Sequence, residues 1–495
     1  MGKNPASHEA QLPEIFASTR EMSRAVSAAV AAGKARKLAP RLYTSNMTDA
    51  PAAIIRRNLW RAVSLLAPGT VVSHRTAIEM TPAEDNTVFV TAAYNRRLEL
   101  PGLRLRFVEG PGALDGDTPL FDLHLASLAR ALLEVLKPSR ARSSVARGLP
   151  RARVEQMLEA ELAAGGDARL NALRDQARSL LTPLDAGDAF AQLDALIGAL
   201  LGTRRTPLSA PAAIARAAGE PYDADRLQRF QILLTALRAH SVVPRPDARL
   251  SDPEFSNLAF FDAYFSNFIE GTRFDVAEAR AIVFEGRIPA ARPQDAHDVL
   301  GTYRVVGSRA WMERSVTTFA DFDAFLRALR TAHLEMLGAR ADKRPGQFKL
   351  LPNVAGHTAF VSPALVRGTL RQGFDIVRSL AEPFQRAVAI MFVLAEVHPF
   401  DDGNGRLARA FMNAELIGGR QRRILIPSVY REDYLTALRV LTRQDHAVPL
   451  IAMLDFAHRY TAAIDFSTFD GALATLQGTD ALEDPGPNVR LHLTR

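Results

Sequence analysis

The 495-residue chain contains no cysteine. Disulfide bonds, zinc sites built on thiolates and catalysis by a thiol are therefore excluded. Long apolar runs are also missing, since the longest, over residues 387–395, is far shorter than the roughly 20 residues that a membrane-spanning helix requires. The start of the chain lacks the basic-then-apolar pattern of a secretory signal. We therefore expect a soluble cytoplasmic protein with no membrane partner.

The overall composition is that of a globular protein. Apolar side chains make up 47% of the residues and charged side chains 23%. A chain of this length has room for about three domains. Basic residues outnumber acidic residues by 61 to 54, and the resulting net charge of +7 favours anionic partners only weakly.

The most informative stretch is His-Pro-Phe-Asp-Asp-Gly-Asn-Gly-Arg-Leu-Ala-Arg, which occupies residues 398–409. Gly403, Asn404 and Gly405 can adopt the positive φ angles that turn successive backbone N–H groups toward one point. The helix-forming run over residues 407–416 predicts a helix that begins at Asn404 or Gly405, with its positive end facing the same point. Together these features predict an anion site of the kind that holds phosphates.

Charged side chains around this turn supply the other groups that phosphate chemistry needs. Arg406 and Arg409 lie three residues apart, so both can reach phosphate oxygens from one helix. Asp402 is a hard carboxylate suited to holding Mg²⁺ against phosphates, and His398, whose ordinary pKa is about 6.5, suits a general base. The alternative is a glycine-rich loop that caps a buried helix and leaves its arginines in solvent. That alternative explains each residue singly, but not the combination.

The stretch resembles the motif of the Fic family, His-Pro-Phe-x-(Asp/Glu)-Gly-Asn-Gly-Arg-x-x-Arg, at every specified position. The resemblance covers roughly residues 250–465 and implies transfer of AMP from ATP to a Ser, Thr or Tyr hydroxyl of a protein. It implies a role for each motif residue: the general base (His398), the ligand of a Mg²⁺ between the α- and β-phosphates (Asp402), the cradle of those phosphates (Gly403, Asn404, Gly405), and the groups that bind the β-phosphate (Arg406) and the γ-phosphate (Arg409). The family also transfers phosphocholine, UMP or phosphate, but the retained carboxylate and both arginines favour a triphosphate donor.

A helix with an aromatic face precedes the motif. Its aromatic side chains recur at helical spacing between Phe261 and Phe268, and Gly271 is expected to end it. Ser266 and Glu270 lie together on another face, which by itself would indicate only a solvated stripe. Beside the motif, Ser-x-x-x-Glu-Gly resembles the inhibitory-helix motif of the Fic family. The resemblance implies that Glu270 pairs with Arg409 and prevents productive seating of the γ-phosphate; a role of Glu270 in removing AMP stays open.

Two short extended runs between these elements predict a β-hairpin over residues 347–361. In Fic proteins such a hairpin, the flap, holds the target segment by strand addition and aligns one hydroxyl with the base. The resemblance makes the edge formed by His357, Thr358, Ala359 and Phe360 the candidate flap. His357 is interpreted as flap surface rather than as a catalytic residue.

The N-terminal region is locally basic. A helix predicted from Ser18 to about Ala32 is followed by a basic stretch over residues 34–43, which could form a short β-wing. Residues 12–80 resemble the winged-helix part of AbiEi-type antitoxins, which are DNA-binding autorepressors, on the stretches GKARKLAPRLYTS and VVSHRTAIEM. The resemblance implies a double-stranded DNA partner, with Arg36, Lys37 and Arg41 on the phosphates. The alternative is a small helical domain with a solvated basic face.

These patterns predict a mainly α protein in four parts. Residues 1–110 are predicted to form a winged helix-turn-helix domain, which includes a small antiparallel sheet over residues 87–108. A helical middle domain (111–245), an all-helical Fic-like domain with the inhibitory helix and the flap (246–470), and a flexible tail (471–495) follow. The predicted function is a protein adenylyltransferase that uses ATP and Mg²⁺ on a hydroxyl-bearing protein. The alternative is a DNA-binding regulator that uses the nucleotide site as a sensor. Homo-oligomerisation stays open.

Overall fold

The computed structural model describes residues 12–138, 145–247, 250–486 and 489–492. The chain divides into two compact units, residues 1–217 and residues 218–495. The architecture is mainly α, as predicted, with small sheets in the first unit and one short hairpin in the second. None of the helices within the described ranges combines the length and the apolarity needed to cross a bilayer.

The first unit contains two sheets and a group of helices. Its elements in chain order are β1 (Ile15–Ala17), α1 (Ser23–Ala31), β2 (Arg36–Ala39), β3 (Leu42–Thr44), α2 (Pro51–Arg57), α3 (Leu59–Leu66), β4 (Val71–Val72), α4 (His74–Glu79), β5 (Thr87–Ala92), β6 (Arg96–Leu100), β7 (Leu103–Glu109), β8 (Thr118–Leu120), β9 (Leu123–Leu125), α5 (Leu128–Leu136), α6 (Arg151–Ser179), α7 (Leu181–Leu184), α8 (Gly187–Leu200) and α9 (Pro211–Ala217).

The smaller sheet has the order β1-β3-β2, and the basic stretch over residues 34–43 forms its β2–β3 hairpin. The helix predicted from Ser18 begins only at Ser23. Within the described residues, α1 is the single helix before this hairpin, whereas a helix-turn-helix needs two. The winged-helix assignment therefore stays a prediction.

The larger sheet has the order β6-β7-β5-β4-β9-β8. The predicted antiparallel pairing of residues 87–90 with residues 103–108 is wrong, because β5 and β7 pair in parallel, with Thr87 opposite Arg104. An extra strand, β6, lies between them in the chain. It forms a hairpin with β7 and occupies the edge of the sheet next to β7. Strands β8 and β9 belong to the same sheet, so it extends past the domain boundary predicted at residue 110.

The second unit is helical except for one hairpin. Its elements are α10 (Ala224–Ala239), α11 (Asp252–Ile269), α12 (Val276–Glu285), α13 (Pro293–Val306), α14 (Arg309–Met312), α15 (Phe322–Leu337), β10 (Val354–Ala355), β11 (Thr358–Ala359), α16 (Val366–Arg378), α17 (Pro383–Val397), α18 (Asn404–Gly418), α19 (Arg431–Gln444), α20 (Val448–Ala462) and α21 (Phe469–Gly478). Helix α17 is buried along almost its whole length and packs against α18.

Two differences from the predicted domain limits follow from packing in this unit. Helix α10 lies before the boundary predicted at residues 245/246, but its Phe230 and Leu237 are buried in the same core as α17. Helix α21 lies in the tail predicted to be flexible from residue 471, yet its Ala472 and Leu476 are buried against the aromatic face of α11. Residues 487–488 and 493–495 of that tail lie outside the described residues.

Candidate active site

The loop between α17 and α18 is closed by one side chain, that of Asn404. Its Oδ1 accepts a hydrogen bond from the backbone N–H of Phe400 at 2.9 Å, and its Nδ2 donates to the carbonyl oxygen of Phe400 at 2.9 Å. The Phe400 ring is fully buried and stacks on the imidazole of His333, with ring centroids 3.8 Å apart. The loop between His398 and Asn404 is therefore anchored in the core at its middle.

Helix α18 begins at Asn404, as predicted, and Gly403 precedes it with a φ of 73°. The first turn of a helix leaves backbone N–H groups without partners inside the helix, which favours anions there. At Gly405 an added Cβ atom would lie 2.1 Å from Oε1 of Glu270. Only glycine at this position allows the Glu270 carboxylate to approach the start of α18.

The predicted pair of Glu270 and Arg409 is present. Nη2 of Arg409 donates to Oε1 of Glu270 at 2.7 Å and to the carbonyl oxygen of Ser266 at 2.8 Å, and its Nε donates to Oγ of Ser266 at 3.0 Å. The Arg409 side chain is 4% exposed, whereas the Glu270 side chain is 29% exposed. The guanidinium is thus a buried cation whose acidic partner can reach solvent.

Electrostatics around this pair keep Glu270 ionised. Burial acts to raise the pKa of its carboxyl, but the guanidinium groups of Arg409 and Arg406 outweigh burial, and the pKa is lowered from its ordinary value. The pair is therefore charged at neutral pH, and charge-assisted hydrogen bonds of this kind are stronger than neutral ones.

Arg406 has a different environment from Arg409. Its Nη1 lies 2.9 Å from Oδ2 of Asp298 and donates to Oδ1 of Asn267 at 3.2 Å. Asp298 is buried and also accepts from Arg340 at 2.8 Å. The predicted phosphate contact of Arg406 would therefore have to be made by a side chain that already belongs to a buried ion-pair network.

Asp402 is the exposed carboxylate of the loop. Its side chain is 41% exposed, and its Oδ1 accepts from the backbone N–H of Gly403 at 2.6 Å. No group of three or more histidine, aspartate or glutamate side chains suited to a metal is found in the described part of the chain. A single carboxylate still fits Mg²⁺, which commonly takes one or two protein carboxylates and completes its shell with phosphates and water.

His398 ends α17 in the left-handed conformation, with a φ of 52°. Its Nδ1 lies 3.2 Å from the carbonyl oxygen of Ala395, and because that oxygen can only accept, Nδ1 carries the proton. The unprotonated Nε2 is left as the acceptor. Burial lowers the pKa of His398 to about 4, so the imidazole is neutral and able to take a proton at pH 7.

A hairpin is present within the predicted range, formed by β10 and β11, with Val354 opposite Ala359 and Ala355 opposite Thr358. The first of the two extended runs that predicted it, residues 347–350, forms no strand, so the hairpin is shorter than predicted. The Phe360 ring that follows stacks on His398, with centroids 3.8 Å apart and planes 9° apart. The turn residue His357 is exposed, and Oγ1 of Thr358 accepts from Arg443 at 3.0 Å. The structure thus brings the candidate flap directly against the candidate base.

These parts enclose one cleft of about 570 Å³. Its walls include the hairpin, His398, Gly405, and the pair of Glu270 and Arg409. The opposite wall is a face of α19 that carries Tyr434, Leu435, Leu438 and Arg439. A cleft of this size that combines an apolar wall with a few convergent polar groups is suited to a small organic ligand with an anionic end.

Residues 323–416 match the Fic/DOC family. The chain therefore contains a Fic/DOC family domain. The matched segment includes α18 up to Leu416 and the whole loop that carries His398 and Asp402. Ser266 and Glu270 lie before the matched segment.

Curated relatives of this Fic domain are named protein adenylyltransferases. The chain is 25% identical to protein adenylyltransferase fic-1 of Caenorhabditis elegans over 191 residues, which are 38% of this chain and 37% of the relative. It is 25% identical to protein adenylyltransferase Fic of Nematostella vectensis over 248 residues, which are 46% of this chain and 55% of the relative. The chain thus spans about half the length of such relatives, or less.

Solved structures of Fic proteins also overlap the chain. A Fic domain containing signaling protein from Bacteroides thetaiotaomicron matches with a TM-score of 0.39 and 18% identity, covering 50% of this chain and 97% of that one. Fic-1 of Caenorhabditis elegans matches with a TM-score of 0.35 and 19% identity, covering 66% and 90%.

Sequence reasoning missed two buried residues that hold the Fic motif in place. His333 accepts from the backbone N–H of Gly346 at 2.8 Å through Nδ1, so its Nε2 carries the proton and donates to the carbonyl oxygen of Asp402 at 3.0 Å. The backbone N–H of Lys349 donates to the carbonyl oxygen of Pro399 at 2.9 Å, and its Nζ donates to the carbonyl oxygen of Val397 at 3.3 Å. A lone histidine or lysine among apolar neighbours carries no pattern in the sequence that would single it out.

The residues predicted to contact DNA lie in the first unit, on the β2–β3 hairpin. Lys37 and Arg41 are exposed, and Arg41 occupies the turn with a φ of 68°. Arg36 donates instead to the backbone carbonyl oxygen of Asp49. DNA binding by these residues stays a prediction.

Proposed function

We propose that this chain is a protein adenylyltransferase that transfers AMP from ATP to a serine, threonine or tyrosine hydroxyl of a protein. The observation that carries the proposal is the buried Arg409 guanidinium, which faces the same cleft as His398 and is held by a carboxylate. A buried cation at the start of a helix is a site for an anion. Here a side chain of the protein itself supplies that anion. The names of the curated relatives support the proposal.

In the proposed reaction the acceptor oxygen attacks the α-phosphorus of ATP, and pyrophosphate leaves. Nε2 of His398 accepts the hydroxyl proton, since Nδ1 is committed to the Ala395 carbonyl oxygen. The backbone N–H groups of the first turn of α18 stabilise the charge that develops on the phosphate oxygens. Arg409 takes the γ-phosphate and so orients the leaving pyrophosphate along the cleft.

Asp402 is the residue that would hold Mg²⁺. The ion, when bound, would neutralise charge on the phosphates during transfer. The exposed carboxylate of Asp402 fits this task, and the hydrogen bond from the Gly403 N–H fixes its orientation. The side-chain amide of Asn404 is hydrogen-bonded to the backbone of Phe400. Asn404 would therefore act by fixing the conformation of the loop rather than by contacting phosphate.

We further propose that Glu270 inhibits this activity. Its carboxylate is hydrogen-bonded to the Arg409 guanidinium, which the γ-phosphate would need to bind. It also adds negative charge where the triphosphate would lie. ATP could then bind only with its phosphates misplaced. Activation would require Glu270 to leave Arg409, and its 29% exposure gives it a route to solvent. Assistance by Glu270 in removing AMP is compatible with the same geometry.

The proposal is tested by incubating the purified chain with ATP radiolabelled in its α-phosphate, with and without a cell lysate. Glu270→Gly should incorporate label into protein, and the wild type much less. Glu270→Gly combined with His398→Ala should incorporate none while still binding ATP. Label in the His398→Ala variant equal to that in its parent would refute the assignment of the base.

A further inference from the structure

A second cavity lies at the opposite end of α18 from the candidate active site. Its volume is about 530 Å³, and its lining includes Ile417 and Gly418 from the last turn of α18, together with Leu250 and Phe255 from the start of α11. Helix α18 has 15 residues and is therefore roughly 22 Å long. No residue within the described ranges lines both this cavity and the cleft that holds His398. We call the second cavity the distal cavity.

Arg423 is the buried cation of the distal cavity, with a side chain that is 1% exposed. Its Nη1 donates to the carbonyl oxygen of Val306 at 2.8 Å and to Oδ2 of Asp262 at 3.3 Å. The guanidinium carbon lies 4.4 Å from the centroid of the Phe255 ring. Nε and Nη2 are buried and have no hydrogen-bond partner, and no other arginine in the described part of the chain leaves two side-chain nitrogens in this state.

The two nitrogens without partners form one edge of the guanidinium. The N–H groups of Nε and Nη2 on that edge point in nearly the same direction, so together they can bind the two oxygens of a carboxylate or phosphate. Buried donors that lack acceptors cost free energy, and nearly all such groups in folded proteins find a partner. Burial also lowers the pKa of Arg423, against the effect of Asp262. An anion on this edge would supply the missing acceptors and offset the cost of burying the charge.

The charge of the lining favours an anion with a single negative charge. Within the described residues the charged members of the lining are three arginines and two acidic residues, Arg309, Arg420, Arg423, Asp247 and Glu313. They leave one positive charge in excess. The first turn of α11 and the last turn of α18 both border the distal cavity, so the opposite charges of the two helix ends offset each other. A carboxylate therefore fits better than a doubly charged phosphate.

We propose that the distal cavity is a binding site for a small organic carboxylate, which Nε and Nη2 of Arg423 hold through two hydrogen bonds. The apolar part of the ligand would lie against Leu250 and Ile417. Arg420 is exposed and belongs to the same lining, so it would attract the anion from solvent. Oε1 of Gln421, which is also buried in the lining without a partner, would accept a hydrogen bond from a hydroxyl or amino group of the ligand. The site does not depend on the proposed transferase function.

The test titrates the full-length chain with benzoate in a calorimeter. We expect saturable binding with a dissociation constant of about one millimolar, as suits a ligand of so few atoms. Benzamide has nearly the same shape and no charge, and it should bind at least about tenfold more weakly.

Two substitutions in the lining should weaken benzoate binding. Arg423→Lys keeps the charge but lacks the two-nitrogen edge, and it should weaken binding by roughly tenfold or more. Arg420→Glu reverses an exposed charge of the lining and should weaken binding roughly tenfold. The matched control is Arg439→Glu, which reverses an exposed arginine on the wall of the cleft that holds His398 and should leave benzoate binding unchanged.

No saturable binding of benzoate to the wild type up to about ten millimolar would mean that the distal cavity holds only solvent, and would overturn the proposal. Equal affinities for benzoate and benzamide would overturn the assignment to an anion. Binding that is lost in Arg439→Glu and kept in Arg420→Glu would put benzoate in the other cleft, with the same consequence. Because Arg420 is exposed, Arg420→Glu should fold and decides the outcome even if Arg423→Lys does not. None of these measurements needs transferase activity.

Discussion

Among substitutions in the site, Glu270→Gly is the one whose effect on activity the geometry predicts most clearly. The substitution removes the 2.7 Å hydrogen bond to Nη2 of Arg409, while the bonds from Arg409 to Ser266 remain. The guanidinium therefore keeps its position but loses its counter-ion. The result is a preformed cationic site at which the γ-phosphate no longer competes with a carboxylate.

The size of the effect follows from the strength of the bond that is lost. A hydrogen bond to a charged group contributes about 1.5–3 kcal/mol. Because about 1.4 kcal/mol corresponds to a tenfold change in an equilibrium constant, the productive state should become about ten to a hundred times more populated. The lowered pKa of Glu270 means that the pair is lost only when the pH falls below the ordinary carboxyl range. Changes in pH near neutrality should therefore not activate the wild type.

The assay is incorporation of α-labelled phosphate into protein at a fixed ATP concentration. Glu270→Gln serves as a matched variant, since it keeps the shape of the side chain and removes its charge. We expect its activity to lie between those of the wild type and Glu270→Gly. Incorporation by Glu270→Gly that is indistinguishable from wild type would refute the inhibitory role of the pair.

Three further predictions concern the same unit. In the Glu270→Gly background, His398→Ala should abolish transfer but leave the ATP affinity measured by calorimetry unchanged, and residual transfer at the parental rate would contradict this. Gly405→Ala should lower the melting temperature more in the wild type than in Glu270→Gly, because its Cβ would lie 2.1 Å from Oε1 of Glu270; equal losses would contradict the close approach. The free energy of unfolding should fall as the pH drops from about 6.5 to about 4, because burial lowers the pKa of His333 and of His458 from 6.5 to about 4 and both stay neutral in the folded state. Each should contribute about 1.4 kcal/mol per pH unit over that range, and a denaturation midpoint that does not change over it would contradict this.

The chemistry of the motif could be predicted because its residues are contiguous in sequence. Glycine, carboxylate, guanidinium and imidazole groups within twelve positions point to one kind of ligand whatever the surrounding fold is. The pair of Ser266 and Glu270 carried no such information, since a serine and a glutamate four residues apart are typical of a solvated helix face. Only the family resemblance made Glu270 a candidate partner of Arg409.

Features that depend on long-range packing could not be predicted in the same way. The parallel pairing of β5 with β7 depends on β6, a five-residue strand whose sequence Arg-Arg-Leu-Glu-Leu has only two apolar positions. The engagement of Arg406 by Asp298 joins residues far apart in the chain. The hydrogen bond from Lys349 to the carbonyl oxygen of Val397 likewise joins residues that only folding brings together.

The central claim is that the cleft holding His398 and Arg409 transfers AMP rather than phosphate. The most direct measurement incubates Glu270→Gly with ATP labelled either in the α-phosphate or in the γ-phosphate and counts the label retained on protein. We predict that the α-label is retained, that the γ-label is not, and that both are absent when His398 is replaced by alanine. Retention of the γ-label, or of neither label, would contradict the claim.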